Sequence, residues 1–114
     1  MAKQVIWSPL AKEELKNILL STLEKQGDKR SCKTIYDQFQ NALHRVTLNP
    51  FIGKASEMEN IRYVIPHPDY TIFYRHSLVR IEVLVIWNNH RKGGRMKTVT
   101  AKGSELQHTD KQRL

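Results

Sequence analysis

The chain has 114 residues, of which 39% are hydrophobic and 26% charged, proportions typical of one globular domain with one core. Its net charge of +8 favours polyanionic partners: RNA, DNA, an acidic protein or anionic lipid. A single cysteine excludes an internal disulfide and a Cys-rich zinc site. No apolar run approaches the ~20 residues that span a membrane, and residues 1–15 lack the apolar core of a signal peptide, so we expect a cytoplasmic protein without membrane contact.

The N-terminal residues predict a strand and then a helix. Gln4–Trp7 is a short apolar stretch suited to a strand. Ser8 can cap the amides of a following helix, and Pro9 is favoured at a first helical position. Apolar residues then recur at spacings of three and four, which predicts one buried stripe on a helix that ends near Gly27.

A second helix is predicted to begin between residues 28 and 31 and to end at Asn49, because Pro50 disfavours helical geometry in the residue before it. Its apolar stripe is the strongest periodic signal in the chain and comprises Cys32, Ile35, Tyr36, Phe39, Ala42, Leu43 and Val46. The two helices should form a hairpin that buries its stripes on a sheet. Residues 51–60 are predicted to be a loop.

Residues 61–91 contain three runs rich in Tyr, Ile, Val and Phe, separated by turn-forming residues at 66–69 and 76–78. This pattern predicts an antiparallel meander of three strands. In the last strand, residues 79–87, alternation places Leu84 and Ile86 on one face. The opposite face is predicted to carry Ile81, Val83, Val85 and Trp87.

These elements predict an α+β fold with an N-terminal strand, a two-helix hairpin and a three-stranded antiparallel meander, the helices packing on one sheet face. We expect one domain over residues 1–92. Residues 93–114 begin with two glycines and are polar and basic, which predicts a flexible tail with a short strand at residues 96–99.

The order of these elements resembles the RelE/ParE toxin superfamily of bacterial type II toxin–antitoxin (plasmid stabilisation) systems. Several phrases carry the resemblance: VIWSPLAKEELKNIL for the first strand and helix, LNPFIGK for the turn after the second helix, IRYVIPHPDYTIFYR for a strand pair, and IEVLVIWNNHRK for the last strand with its basic end. The resemblance covers residues 1–92.

The resemblance implies a small toxin that is neutralised by a cognate acidic antitoxin. One branch of the superfamily consists of ribosome-dependent mRNA endonucleases, and another branch poisons DNA gyrase without cutting nucleic acid itself. A shared fold does not distinguish these activities. The sequence shows no ligand set with metal spacing, so we expect a metal-independent protein without cofactors.

RNA cleavage needs a base for the ribose 2′-OH, cations for the phosphate and an acid for the leaving oxygen. Arg62 matches the superfamily's Arg at the start of a strand, which the resemblance implies is a phosphate stabiliser. His90 can transfer protons near neutral pH and Arg91 can bind phosphate in a bidentate manner. We therefore expect these three residues to be catalytic if the chain is an RNase. Further phosphate contacts are predicted from Lys54, Arg75 and Lys92.

The chain also departs from the nuclease branch, because no Tyr follows His90 and Glu57 and Glu59 are suggested as bases only by their loop position. This favours the gyrase-directed branch or a nuclease with a minimal site. A third hypothesis is a non-toxic basic module that binds RNA or DNA through its charge and through stacking on Trp7, Tyr70 and Trp87.

Overall fold

The computed structural model describes residues 3–90, so the predicted tail, its strand at residues 96–99, Arg91 and Lys92 lie outside the described residues. The α+β fold that the sequence predicted is confirmed. The elements are β1 (Gln4–Trp7), α1 (Pro9–Gln26), α2 (Lys29–Leu48), β2 (Lys54–Ala55), β3 (Ile61–His67), β4 (Tyr70–His76) and β5 (Arg80–Asn88).

The helix boundaries follow from local capping chemistry, which the sequence predicted for Ser8. The Ser8 side chain accepts a hydrogen bond from the Ala11 amide at the start of α1, and Asp28 does the same for Ser31 at the start of α2. Gly27 ends α1 in the left-handed conformation, with φ of 76°, which costs glycine little because it has no Cβ.

The sheet has five strands in the order β1-β5-β4-β3-β2. β3, β4 and β5 form the predicted antiparallel meander, and β1 lies parallel to β5 at one edge. The other edge departs from the prediction, since residues 51–60 are not entirely loop. Lys54 and Ala55 form β2, which pairs with Tyr63 and Arg62 of β3.

The helices pack on one face of the sheet and bury the predicted stripe of α2. Phe39 and Val46 are fully buried there, whereas Tyr36, which the periodicity placed in the stripe, is 42% exposed. A second apolar cluster lies away from this group and contains Ile61, Phe73, Val85 and Trp87, with Met58 packed against it. No helix within residues 3–90 is long and apolar enough to cross a membrane.

A β-bulge in β5 changes the face on which some of its side chains lie, contrary to the prediction for the last strand. Phe73 pairs with Val85 and Tyr74 pairs with Val83, so Leu84 is an extra residue with no partner on β4. An extra residue reverses the alternation of the side chains that follow it. Ile81 and Val83 therefore belong to the clusters on the helix side, whereas Val85 and Trp87 belong to the second cluster. The prediction that all four share one face was wrong.

Candidate functional site

A buried tyrosine anchors the loop between α2 and β2. The Tyr74 hydroxyl donates a hydrogen bond of 2.7 Å to the Pro50 carbonyl and accepts one of 3.1 Å from the Gly53 amide. Burial raises the pKa of this hydroxyl, so it stays protonated and can serve as the donor. A Cβ on Gly53 would lie 2.4 Å from the Tyr74 hydroxyl oxygen, so only glycine allows this approach.

Arg62 braces the same loop from the neighbouring strand. Its Nη1 donates a hydrogen bond of 2.8 Å to the Gly53 carbonyl, and its guanidinium lies 5.0 Å from the centre of the Phe51 ring. The residue that the resemblance marked as a phosphate stabiliser therefore already has two partners within the protein. These contacts hold Phe51 at the surface, where 64% of it is exposed.

His76, which the sequence analysis did not single out, joins this cluster. Its ring meets the Phe51 ring edge-on, with 4.8 Å between the centroids. Burial lowers the pKa of His76, and the positive charges of Lys3 and Arg62 lower it further, so the imidazole is neutral at physiological pH. Phe51, Arg62 and His76 line a cleft of ≈ 310 Å³ with the β2–β3 loop, including Glu59. We call Phe51, Arg62, Tyr74 and His76, with Gly53, the loop end of the sheet.

His90 lies at the opposite end, beside the β3–β4 turn. Its Nε2 is 2.7 Å from Asp69 Oδ1, and its side chain is 73% exposed. Asn89 fixes this turn, because its side-chain Nδ2 donates to the Pro68 carbonyl and its side-chain Oδ1 accepts from the Thr71 hydroxyl. We call His90, Asp69 and Asn89, with His67, the turn end of the sheet.

The structure does not bring Arg62 and His90 together. Arg62 pairs with Tyr74 and Asn88 pairs with Tyr70, so the two pairs are four positions apart along β4. At ~3.3 Å per residue, the two pairs lie roughly 13 Å apart along the strand. His90 lies two residues beyond Asn88. Since Arg91 lies outside the described residues, the catalytic roles of these three residues stay predictions.

The remaining predicted phosphate-binding residues are also dispersed. Lys54 is exposed on β2, and Arg75 Nε forms an ion pair of 2.8 Å with Glu82 on β5. Glu57 and Glu59, the suggested bases, are exposed in the β2–β3 loop. Within residues 3–90, no three His, Cys, Asp or Glu side chains are grouped so that they could hold a metal ion.

Sequence signals could have found only part of the loop end. The phrase LNPFIGK, which predicts the turn after the second helix, contains Gly53, and alternation along residues 70–75 puts Ile72 and Tyr74 on one face. Nothing in the sequence pairs Phe51 with His76, which are 25 residues apart, because their contact depends on how the loop folds back onto the sheet.

Comparison with known proteins agrees with this architecture. A family model described as the ParE toxin of the type II toxin–antitoxin system parDE matches residues 5–93. A structure of a chromosomal ParDE system from P. aeruginosa has a TM-score of 0.65 at 17% identity, covering 76% of this chain and 96% of that one. No curated protein matches the chain.

Two further structures share the fold. A YoeB/ParE toxin from Agrobacterium tumefaciens has a TM-score of 0.55 at 13% identity and covers 75% of this chain and 96% of its own. The E. coli DinJ-YafQ toxin-antitoxin complex contains a chain with a TM-score of 0.53 at 9% identity, covering 82% of this chain and 100% of that one.

Proposed function

Because the chain belongs to the ParE toxin family of type II toxin–antitoxin systems, we propose that it arrests bacterial growth by inhibiting DNA gyrase and that a cognate acidic antitoxin neutralises it. In this proposal the chain binds its target and does not cut RNA. The antitoxin is in keeping with the structures of toxin–antitoxin complexes that share the fold, and its acidic character complements the chain's net charge of +8.

One observation carries the choice of gyrase over mRNA cleavage: the separation of Arg62 from His90. RNA cleavage requires the cation that stabilises the phosphate and the group that transfers protons to reach the same scissile linkage, and these two residues lie at opposite ends of the sheet. Arg62 Nη1 is also bound to the Gly53 carbonyl and its guanidinium lies over the Phe51 ring, so part of this side chain already serves to brace the loop.

The test is to induce the full chain alone in growing bacteria while monitoring plasmid supercoiling and mapping mRNA ends by primer extension. We expect growth arrest, relaxed or broken DNA and intact mRNA. The purified chain should inhibit supercoiling by purified gyrase. A Lys33→Ala variant, altered at an exposed helical ion pair, is the matched control and should retain full toxicity.

Two results would overturn the proposal. New mRNA cuts within translated codons, with normal DNA, would establish the RNase hypothesis, and Arg62→Ala and His90→Ala should then abolish cutting while the protein stays folded. Harmless expression together with salt-sensitive binding to nucleic acid would instead indicate the non-toxic basic module.

A further inference from the structure

The surface beside the loop end carries three large apolar side chains that the described part of the chain leaves uncovered. Leu78 is 92% exposed and Val79 is 64% exposed in the link between β4 and β5, and Phe51 is 64% exposed in the link between α2 and β2. Single exposed apolar residues are ordinary in proteins, whereas a contiguous group marks an interaction surface.

A chain of contacts connects these three residues. The Phe51 ring packs edge-on against His76, two residues before Leu78. Lys3 Nζ donates hydrogen bonds to the Ser77 and Leu78 carbonyls, at 2.6 and 2.7 Å, and its charge acts on His76. The link and the loop therefore lie side by side at one end of the sheet. We call Phe51, Leu78 and Val79 the apolar tip.

The apolar tip is held in place before any partner binds. Lys3 fixes two consecutive carbonyls of the β4–β5 link, and the Ser77 amide donates to the Arg80 carbonyl across it. Phe51 is held between the guanidinium of Arg62 and the ring of His76. A surface ordered in advance loses less conformational entropy on binding, which favours a specific docking contact.

The charges around the tip define the partner. Lys3, Arg62 and Arg80 lie beside it, and Arg80 keeps 48% of its side chain exposed and forms only a long ion pair, of 3.9 Å, with Glu82. Glu59 lines the same cleft as Phe51 and Arg62, which leaves the three cations in excess. Glu82 is engaged more closely by Arg75, at 2.8 Å, and His76 is neutral. Apolar anchors inside a basic rim complement an apolar pocket with a carboxylate rim.

We infer that the apolar tip of Phe51, Leu78 and Val79, with its rim of Lys3, Arg62 and Arg80, docks into an acidic-rimmed apolar pocket on the protein that this toxin inhibits. The inference rests on the proposed function, since it assigns the surface that contacts the target. Leu78 and Val79 favour a protein partner over a nucleic acid, because their aliphatic side chains provide neither a stacking plane nor a hydrogen bond to a base.

The experiment compares the Leu78→Ser/Val79→Ser double variant with Leu20→Ser, whose wild-type side chain is 50% exposed on α1. Both variants change only exposed side chains, and thermal unfolding followed by circular dichroism confirms that they fold. Growth arrest on induction is measured for each full-length chain, and binding to purified gyrase is measured by surface plasmon resonance. Binding to a random-sequence RNA oligonucleotide is measured in parallel.

We expect the double variant to lose growth arrest and to bind gyrase about tenfold or more weakly, because buried anchors dominate binding at an interface. Leu20→Ser should match the wild type. Arg80→Glu should weaken gyrase binding and reduce its salt dependence, whereas Lys33→Glu, a charge reversal at a 75% exposed helical lysine, should have little effect.

The outcomes separate the inference from the proposed function. Undiminished arrest in the double variant overturns the inference and leaves the toxin proposal intact. Loss of RNA binding in the double variant also overturns it, since the tip would then contact nucleic acid. If the wild type arrests growth without binding gyrase, the gyrase proposal fails. The inference about the apolar tip is still supported in that case if the double variant loses growth arrest and Leu20→Ser does not. A wild type that neither arrests growth nor binds gyrase contradicts both.

Discussion

Both ends of the sheet carry hydrogen-bonding side chains, but these differ in how far they are exposed to solvent. At the loop end, Tyr74 is fully buried and both of its hydrogen bonds reach the backbone of a distant loop. At the turn end, His90 Nε2 lies 2.7 Å from Asp69 Oδ1, and the two side chains are 73% and 45% exposed. A histidine or arginine at a strand end is therefore not a site in itself. Its surroundings decide whether it braces the fold or remains available to solvent and partners.

The largest effect is expected from a substitution that tests the close packing of the loop end. Gly53→Ala places a Cβ 2.4 Å from the Tyr74 hydroxyl and 2.8 Å from the Tyr63 carbonyl, so we expect the free energy of unfolding to fall by about 3 kcal/mol. Urea denaturation measures this loss. Gly27→Ala is the control, because it has a positive φ but open space around it, and should cost about 1 kcal/mol. Equal losses would contradict the steric explanation.

The next effect tests the hydroxyl that anchors the loop. Tyr74→Phe removes the acceptor for the Gly53 amide and the donor to the Pro50 carbonyl, and should cost about 2 kcal/mol because buried polar groups lose their partners. Tyr36→Phe, on a side chain that is 42% exposed, should change stability by less than about 0.5 kcal/mol. Both values come from chemical denaturation, and a Tyr74→Phe variant as stable as the wild type would show that the anchor is dispensable.

A smaller effect tests the charge that Arg62 contributes to the loop end. Arg62→Gln should cost about 1 kcal/mol through the lost guanidinium contacts and should raise the pKa of His76 towards its ordinary value. Because the pKa of His76 is lower in the folded than in the unfolded chain, its contribution to stability is present above the unfolded pKa and is lost as the pH falls. NMR titration of the His76 ring measures the shift, and an unchanged titration would exclude Arg62 as a cause.

The smallest effect is expected at the turn end. His90→Gln should alter the free energy of unfolding by less than about 0.5 kcal/mol, because polar contacts between exposed side chains contribute little in water. Thermal and urea unfolding measure it, with His76→Gln as the partner variant at the loop end. If His90→Gln were the more destabilising of the two, the contrast between the ends would be wrong.

The sequence by itself determined the elements and their order. Caps, breakers and helical stripes depend on residues within a few positions of one another, so Ser8, Gly27, Pro50 and the Phe39 stripe predicted both helices. Alternating apolar runs predicted the meander for the same reason. The two-residue strand β2 was missed because only its pairing with β3 defines it.

Only the tertiary structure decided which faces and which residues meet. The bulge at Leu84 moves Val85 and Trp87 to the other face of the sheet, and it arises from the register between β4 and β5 rather than from a local signal. Tyr74 reaches Pro50, 24 residues away, only after the loop has folded back over the strand. The separation of Arg62 from His90 has the same origin, since the antiparallel register of three strands places them at opposite ends.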